Sequence, residues 1–169
     1  RGEILAAFGW GYTLTQIPGG LVSQVVGPKR TLLVAVVVGS VAGLLIPFGS
    51  RLSFIVPLAL NFIIGMAQGP LFPVLCGLLA RWMRPSEMAR ANAMMGAAWN
   101  MGQVIQYLLS PILLKLAGWP LAYYFFAGSG IVWTAWWHFV AADAPEVHPR
   151  ITAPELSWIQ TDPISIVSG

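Results

Sequence analysis

Few side chains in this sequence are equipped for chemistry, and those that are sit as amides and hydroxyls inside apolar runs. Tyr12 and Gln16 stand four apart, which puts them on one face of a helix. Asn61 and Gln68 stand seven apart, again on a single face, and Asn100, Gln103 and Gln106 follow in a later run. Such groups hydrogen-bond a polar solute without carrying charge, so they can line a polar path through apolar surroundings. They also bond one helix to the next, at about 0.6 kcal/mol each. Both uses stay open for Gln16, Asn61 and Gln68, whereas packing is the favoured use of Asn100 and Gln106. No nucleophile–base pair, metal-ligand cluster or phosphate loop accompanies them, so neither an enzyme nor a cofactor is expected. The lone Cys76 reads as a small buried hydrophobe. His138, next to Trp136 and Trp137, reads as part of an interfacial aromatic belt.

The elements that must position these groups are apolar helices. The organising stretch covers residues 60–90, LNFIIGMAQGPLFPVLCGLLARWMRPSEMAR. It opens as an apolar helix carrying Gly65, Gly69, Pro70 and Pro73, a combination that soluble helices rarely tolerate. It holds no charge before Arg81, then breaks into a basic turn at Arg84 and Pro85. Pro70 and Pro73 are expected to kink the helix and free backbone carbonyls. Gly65 and Gly69 form a pair of small residues that permits close helix approach.

Composition points to lipid as the solvent. Of 169 residues, 57% are hydrophobic and 9% charged, far from the roughly 25% charged residues of a soluble domain. The net charge of +3 does not imply nucleic acid, because the basic residues lie in short turns rather than along a stripe. Five membrane-spanning helices are expected, at about 3–26, 31–49, 54–82, 86–117 and 120–142, each near the roughly 20 residues a bilayer core requires. Short connections favour an antiparallel bundle. The turns at Lys29/Arg30 and Arg81/Arg84/Arg90, with Arg150 beyond the fifth helix, fall on one side by alternation. The other side has only Arg51 and Lys115. The positive-inside bias puts the first group in the cytosol and the N-terminus at Arg1 opposite. Residues 143–169, with four prolines, read as an exposed linker with one short helix. Thr152 and Glu155 would form the capping box of that helix. The first residue is Arg1, not Met, so the sequence reads as a fragment of a longer protein.

Several stretches resemble a known family. Residues 8–20, FGWGYTLTQIPGG, resemble the second transmembrane helix of the anion:cation symporters, a branch of the major facilitator superfamily that includes sodium/phosphate cotransporters, vesicular glutamate transporters and sialin. Residues 65–73, GMAQGPLFP, resemble the family's fourth helix, and 82–85 with Glu87 the loop after it. Gly118-Trp119 with Tyr124, Gly128, Gly130 and Trp133 resembles the sixth helix, and 145–152 with Glu155 the segment beyond. The resemblance implies an all-α membrane protein, a multi-pass helical bundle forming part of the N-terminal half of a twelve-helix transporter.

The departures are informative. In the superfamily the loop between the second and third helices has Gly-x-x-x-acid-Arg-x-Gly followed by basic residues. Here Gly20 and Gly27 keep the glycines and Lys29 and Arg30 the basic pair, but Gln24 and Val25 replace the acid and the Arg. Many anion-transporting relatives have an Arg where this chain has Asn61, and some have Glu where it has Gln68. A neutral amide supplies no charge to offset an anion's desolvation.

Two functions follow. The leading one is a secondary active transporter moving phosphate or a small organic anion by alternating access, coupled to sodium or protons. Tyr12, Gln16, Asn61, Gln68 and Asn100 would lie on its substrate pathway. Gly20, Gly27, Lys29, Arg30, Arg81, Glu87 and Arg90 would form its gating loops. Its partners would be the lipid bilayer, the anion, the coupling ion and the remainder of the transporter. The alternative is a non-transporting accessory or scaffold subunit of a membrane complex.

Overall fold

The computed structural model describes residues 2–148 and 151–160. Arg1 and Arg150, both used in the topology above, and residues 161–169 of the linker lie outside the described residues. The described chain is helical, with no strand among the described residues. Its helices are α1 (Gly2–Val26), α2 (Pro28–Gly49), α3 (Ile55–Gln68), α4 (Leu71–Trp82), α5 (Met88–Ala117), α6 (Trp119–Val140) and α7 (Ala153–Gln160). Helices are what lipid demands, because each satisfies its backbone groups internally.

A single helix was expected over 54–82. The structure has one apolar span over Ile55–Trp82, made of α3 and α4 on either side of Gly69 and Pro70. Both residues keep helical dihedrals (φ −52°, ψ −47° and φ −69°, ψ −19°), so the break is in the hydrogen-bond ladder and not in the helical path. The cause is covalent. Pro70 has no N–H for the carbonyl of Met66, four residues back. That carbonyl is taken instead by the Thr15 hydroxyl of α1, at 2.8 Å. The break falls at the middle of the 28-residue apolar span Ile55–Trp82.

Helix α1 packs mainly on α3, and glycine makes the contact possible. A Cβ on Gly65 would collide with the Phe8 carbonyl and one on Gly11 with the Phe62 carbonyl, while one on Gly69 would stand 2.5 Å from the Tyr12 carbonyl. The two helices therefore touch backbone to backbone, the approach that small residues permit in membranes and that allows weak Cα–H···O contacts. Helix α2 lies between α3 and α6, and α5 stands at the edge, against α6 and the end of α4.

Burial is inverted relative to a soluble domain. The core is built largely of small side chains such as Ala35, Ala42, Ala67 and Ala127, around Leu32 and Val74. Large apolar side chains point outward: Val25 is 89% and Phe139 84% exposed. An apolar surface of that extent is suited to lipid. In the described helices every charged side chain lies in a first or last turn: Glu3, Lys29, Arg30, Arg81, Arg90, Lys115 and Glu155.

The segment after α6 differs from the exposed linker expected. Asp143 is half-buried and Pro145 is fully buried. Its helix α7 begins where the capping residue predicted it: the Thr152 carbonyl accepts the Leu156 N–H at 2.9 Å, as an N-cap carbonyl does.

Candidate functional site

Beside the helix break lies a cavity of about 530 Å³ between α2, α3, α4, α5 and α6. Its polar lining comes from four helices: Ser40, Gln68, Gln106 with Ser110, and Tyr123. The wall contributed by α2 and α6 is otherwise of small residues, including Gly39, Gly43 and Ala127. The lining has no ionised side chain. It can donate and accept hydrogen bonds, and its volume lies in the range of small-molecule sites, roughly 300–1,000 Å³.

Of the residues expected on a pathway, Gln68 lines this cavity; Tyr12, Gln16, Asn61 and Asn100 are not among its lining residues. The Asn61 amide donates to the Pro57 carbonyl of its own helix at 2.8 Å, and the Asn100 amide to the Gly96 carbonyl at 2.9 Å. The Tyr12 ring stacks on Phe8, with centroids 6.1 Å apart. Gln16 is half-buried on α1, its backbone N against Gly69. Gln106, favoured above as packing, is among the lining residues of the cavity. Ser40, Ser110 and Tyr123 were missed. Ser110 follows Gln106 by four residues, a spacing that does put them on one helix face.

The loop residues gather at the other candidate site, the basic end. Gly27 has φ 98°, and a Cβ there would stand 2.7 Å from the Asp143 carboxylate, so both conformation and space call for glycine. That carboxylate accepts the Lys29 N–H at 2.7 Å. It thus caps the first turn of α2, where the helix dipole favours negative charge. The family's acid is absent at Gln24, but Asp143, reaching from beyond α6, supplies a carboxylate to this turn. Gly20 lies deeper on α1, its carbonyl accepting the Ser23 hydroxyl at 2.7 Å. In the next basic turn the Glu87 N–H donates to the Arg84 carbonyl at 2.9 Å. The Arg84 guanidinium lies 4.5 Å from the centre of the Trp158 ring of α7, and Trp82 meets His148 edge-on at 5.6 Å. Arg30, Arg81 and Arg90 are exposed. The two described basic turns assigned to one side are thus each tied to residues after α6: Asp143 for the first, His148 and Trp158 for the second.

A family model described as Major Facilitator Superfamily matches residues 2–168. The chain belongs to the major facilitator superfamily. It is accordingly an integral, multi-pass membrane protein, part of the helical bundle of that superfamily. The chain is 32% identical over 160 residues, 95% of its length, to vesicular glutamate transporter 3 of Danio rerio. It is 30% identical over 159 residues, 94% of its length, to vesicular glutamate transporter 2 of Homo sapiens. It is 34% identical over 158 residues, again 94%, to the probable anion transporter 1, chloroplastic, of Oryza sativa subsp. japonica. These similarities agree with the resemblance to the anion:cation symporters. The chain spans only 27% to 30% of the length of these relatives.

Proposed function

We propose that this chain is the substrate-contacting part of a secondary active transporter for a small organic anion or phosphate, working by alternating access with sodium or protons as the coupling ion. The observation that carries the reading is the break at Gly69-Pro70, half-way along an apolar span and next to Gln68 on a hydrogen-bonding cavity. Broken helices at the bilayer midplane are where transporters form their sites. Gln68 and Gln106 then hydrogen-bond the solute, and Tyr12, Gln16, Asn61 and Asn100, which do not line this cavity, serve the pathway outside it. The small-residue wall of α2 and α6 fits the close approach of a further helix from the rest of the transporter. The anion's counter-charge then comes from outside this cavity, whose lining has none. Gly20, Gly27, Lys29, Arg30, Arg81, Glu87 and Arg90 belong to the cytosolic gate.

The test is uptake of labelled glutamate and of labelled phosphate by the full-length protein in proteoliposomes, with and without sodium and proton gradients. One of the two anions should accumulate under one gradient. Replacing Gln68 by Ala should lower that uptake about tenfold, the worth of one lost hydrogen bond. Absence of uptake of both anions under every gradient would sink the reading.

A second reading draws on the back-bonded amides. Asn61 and Asn100 each give one amide N–H to their own helix, which suits a non-transporting accessory or scaffold subunit. In that case native protein is inactive, and an Asn61→Arg variant gains transport.

A further inference from the structure

A second concavity, of about 520 Å³, lies between α1, α2 and α3. Its walls are aliphatic: Val22 and Val26 on α1, Val34 and Val38 on α2, Ile63 and Met66 on α3. All six side chains are exposed, Val34 to 58%, so no described residue covers the groove. Three polar residues reach it: Thr15, Thr31 and Arg30. Two are already engaged. Thr15 donates to the Met66 carbonyl, and Thr31 to the Gly27 carbonyl at 2.8 Å. Arg30 is exposed and makes no ion pair among the described residues. The groove is therefore an apolar channel with one available cation, at its cytosolic end.

Its length fits one leaflet. From Arg30 to Val38 is eight residues, about 12 Å along a helix at roughly 1.5 Å per residue. Half of a hydrocarbon core of about 30 Å is about 15 Å. An acyl chain entering beside Arg30 would lie along the valines and reach toward the break at Pro70, near the midplane.

We propose that this groove is a binding site for one phospholipid of the cytosolic leaflet, its acyl chain against Val22, Val34 and Val38 and its anionic headgroup on Arg30. Charge selects the headgroup: Arg30 lies in the basic turn with Lys29, on the side where anionic lipids concentrate. The groove adjoins the substrate cavity only at Ala35, and the proposal needs the membrane location and a groove that the rest of the protein leaves uncovered, not the transport reading.

The experiment is native mass spectrometry of the full-length protein, released from nanodiscs of mixed phosphatidylglycerol and phosphatidylcholine. Wild-type protein should retain phosphatidylglycerol preferentially. Arg30→Gln should lower the ratio of retained phosphatidylglycerol to phosphatidylcholine about fivefold, the effect of one basic residue near an anionic surface. Val34→Trp, which fills the groove, should lower retention of both lipids, and Arg51→Gln, in the opposite turn, should leave the ratio unchanged. An unaltered ratio in Arg30→Gln overturns the proposal, as does a polypeptide retained in place of lipid. If Val34→Trp does not fold, the headgroup ratio of Arg30→Gln decides alone.

Discussion

A hydroxyl has one proton, and the Thr15 hydroxyl has both the Gly11 carbonyl at 2.9 Å and the Met66 carbonyl at 2.8 Å within reach. The Gly11 carbonyl already has a helical partner, the Thr15 N–H, whereas Pro70 leaves the Met66 carbonyl with none. The proton is worth more on Met66, where it stands in for the missing helical bond. Thr15→Val should therefore destabilise the bundle by about 1–2 kcal/mol in thermal unfolding of the full-length protein, and Thr15→Ser should restore most of the loss. The glycines of the same interface are less forgiving. A side chain on Gly65 meets backbone rather than a movable side chain, so Gly65→Val should cost about 3 kcal/mol or abolish folded protein, read in the same assay. The sequence carried the small-residue spacing of Gly65 and Gly69 and the carbonyl-freeing prolines. It did not carry Thr15's role, because a threonine on an apolar helix looks the same whether it bonds its own turn or a neighbour's.

At the scale of elements, the prolines and glycines of residues 65–73 marked where the hydrogen-bond ladder of the Ile55–Trp82 span is interrupted. The interruption follows from Pro70 sitting directly after Gly69, where a missing hydrogen bond coincides with the residue that resists bending least. The cap on α2 was not legible at all. Its acid is 114 residues away from Lys29, and no local pattern links a turn to a residue beyond the last spanning helix. Asp143→Ala should cost about 1 kcal/mol, with Asp143→Asn retaining much of it because an amide oxygen also caps. Amides were legible by position but not by direction: Asn61 and Asn100 lie on helix faces as expected, yet their side chains turn to their own backbones.

For the whole molecule, charge at the helix ends and apolar middles gave the spanning architecture before any contact was known. Alternation of helix direction grouped the basic turns. The ties of those turns to residues after α6 came only from the structure: Asp143 to α2, His148 to Trp82 and Trp158 to Arg84. A double-mutant cycle on Arg84→Gln and Trp158→Leu should give a coupling of about 0.5–1 kcal/mol in unfolding of the full-length protein. Coupling near zero would mean that α7 is not held to this turn in solution. The cavity was the least legible feature. Its polar wall draws one or two residues from each of four helices, and a single serine or tyrosine in an apolar run has no period to betray it.

The Asp143 cap also has a consequence in time. As the chain leaves the ribosome, α2 is made early, but the carboxylate that completes its first turn arrives only after α3 through α6 have been threaded. Until then the Gly27–Lys29 turn has no side-chain partner from beyond α6. The order of synthesis thus leaves the start of α2 to be fastened last, when the chain returns to the face where that helix began.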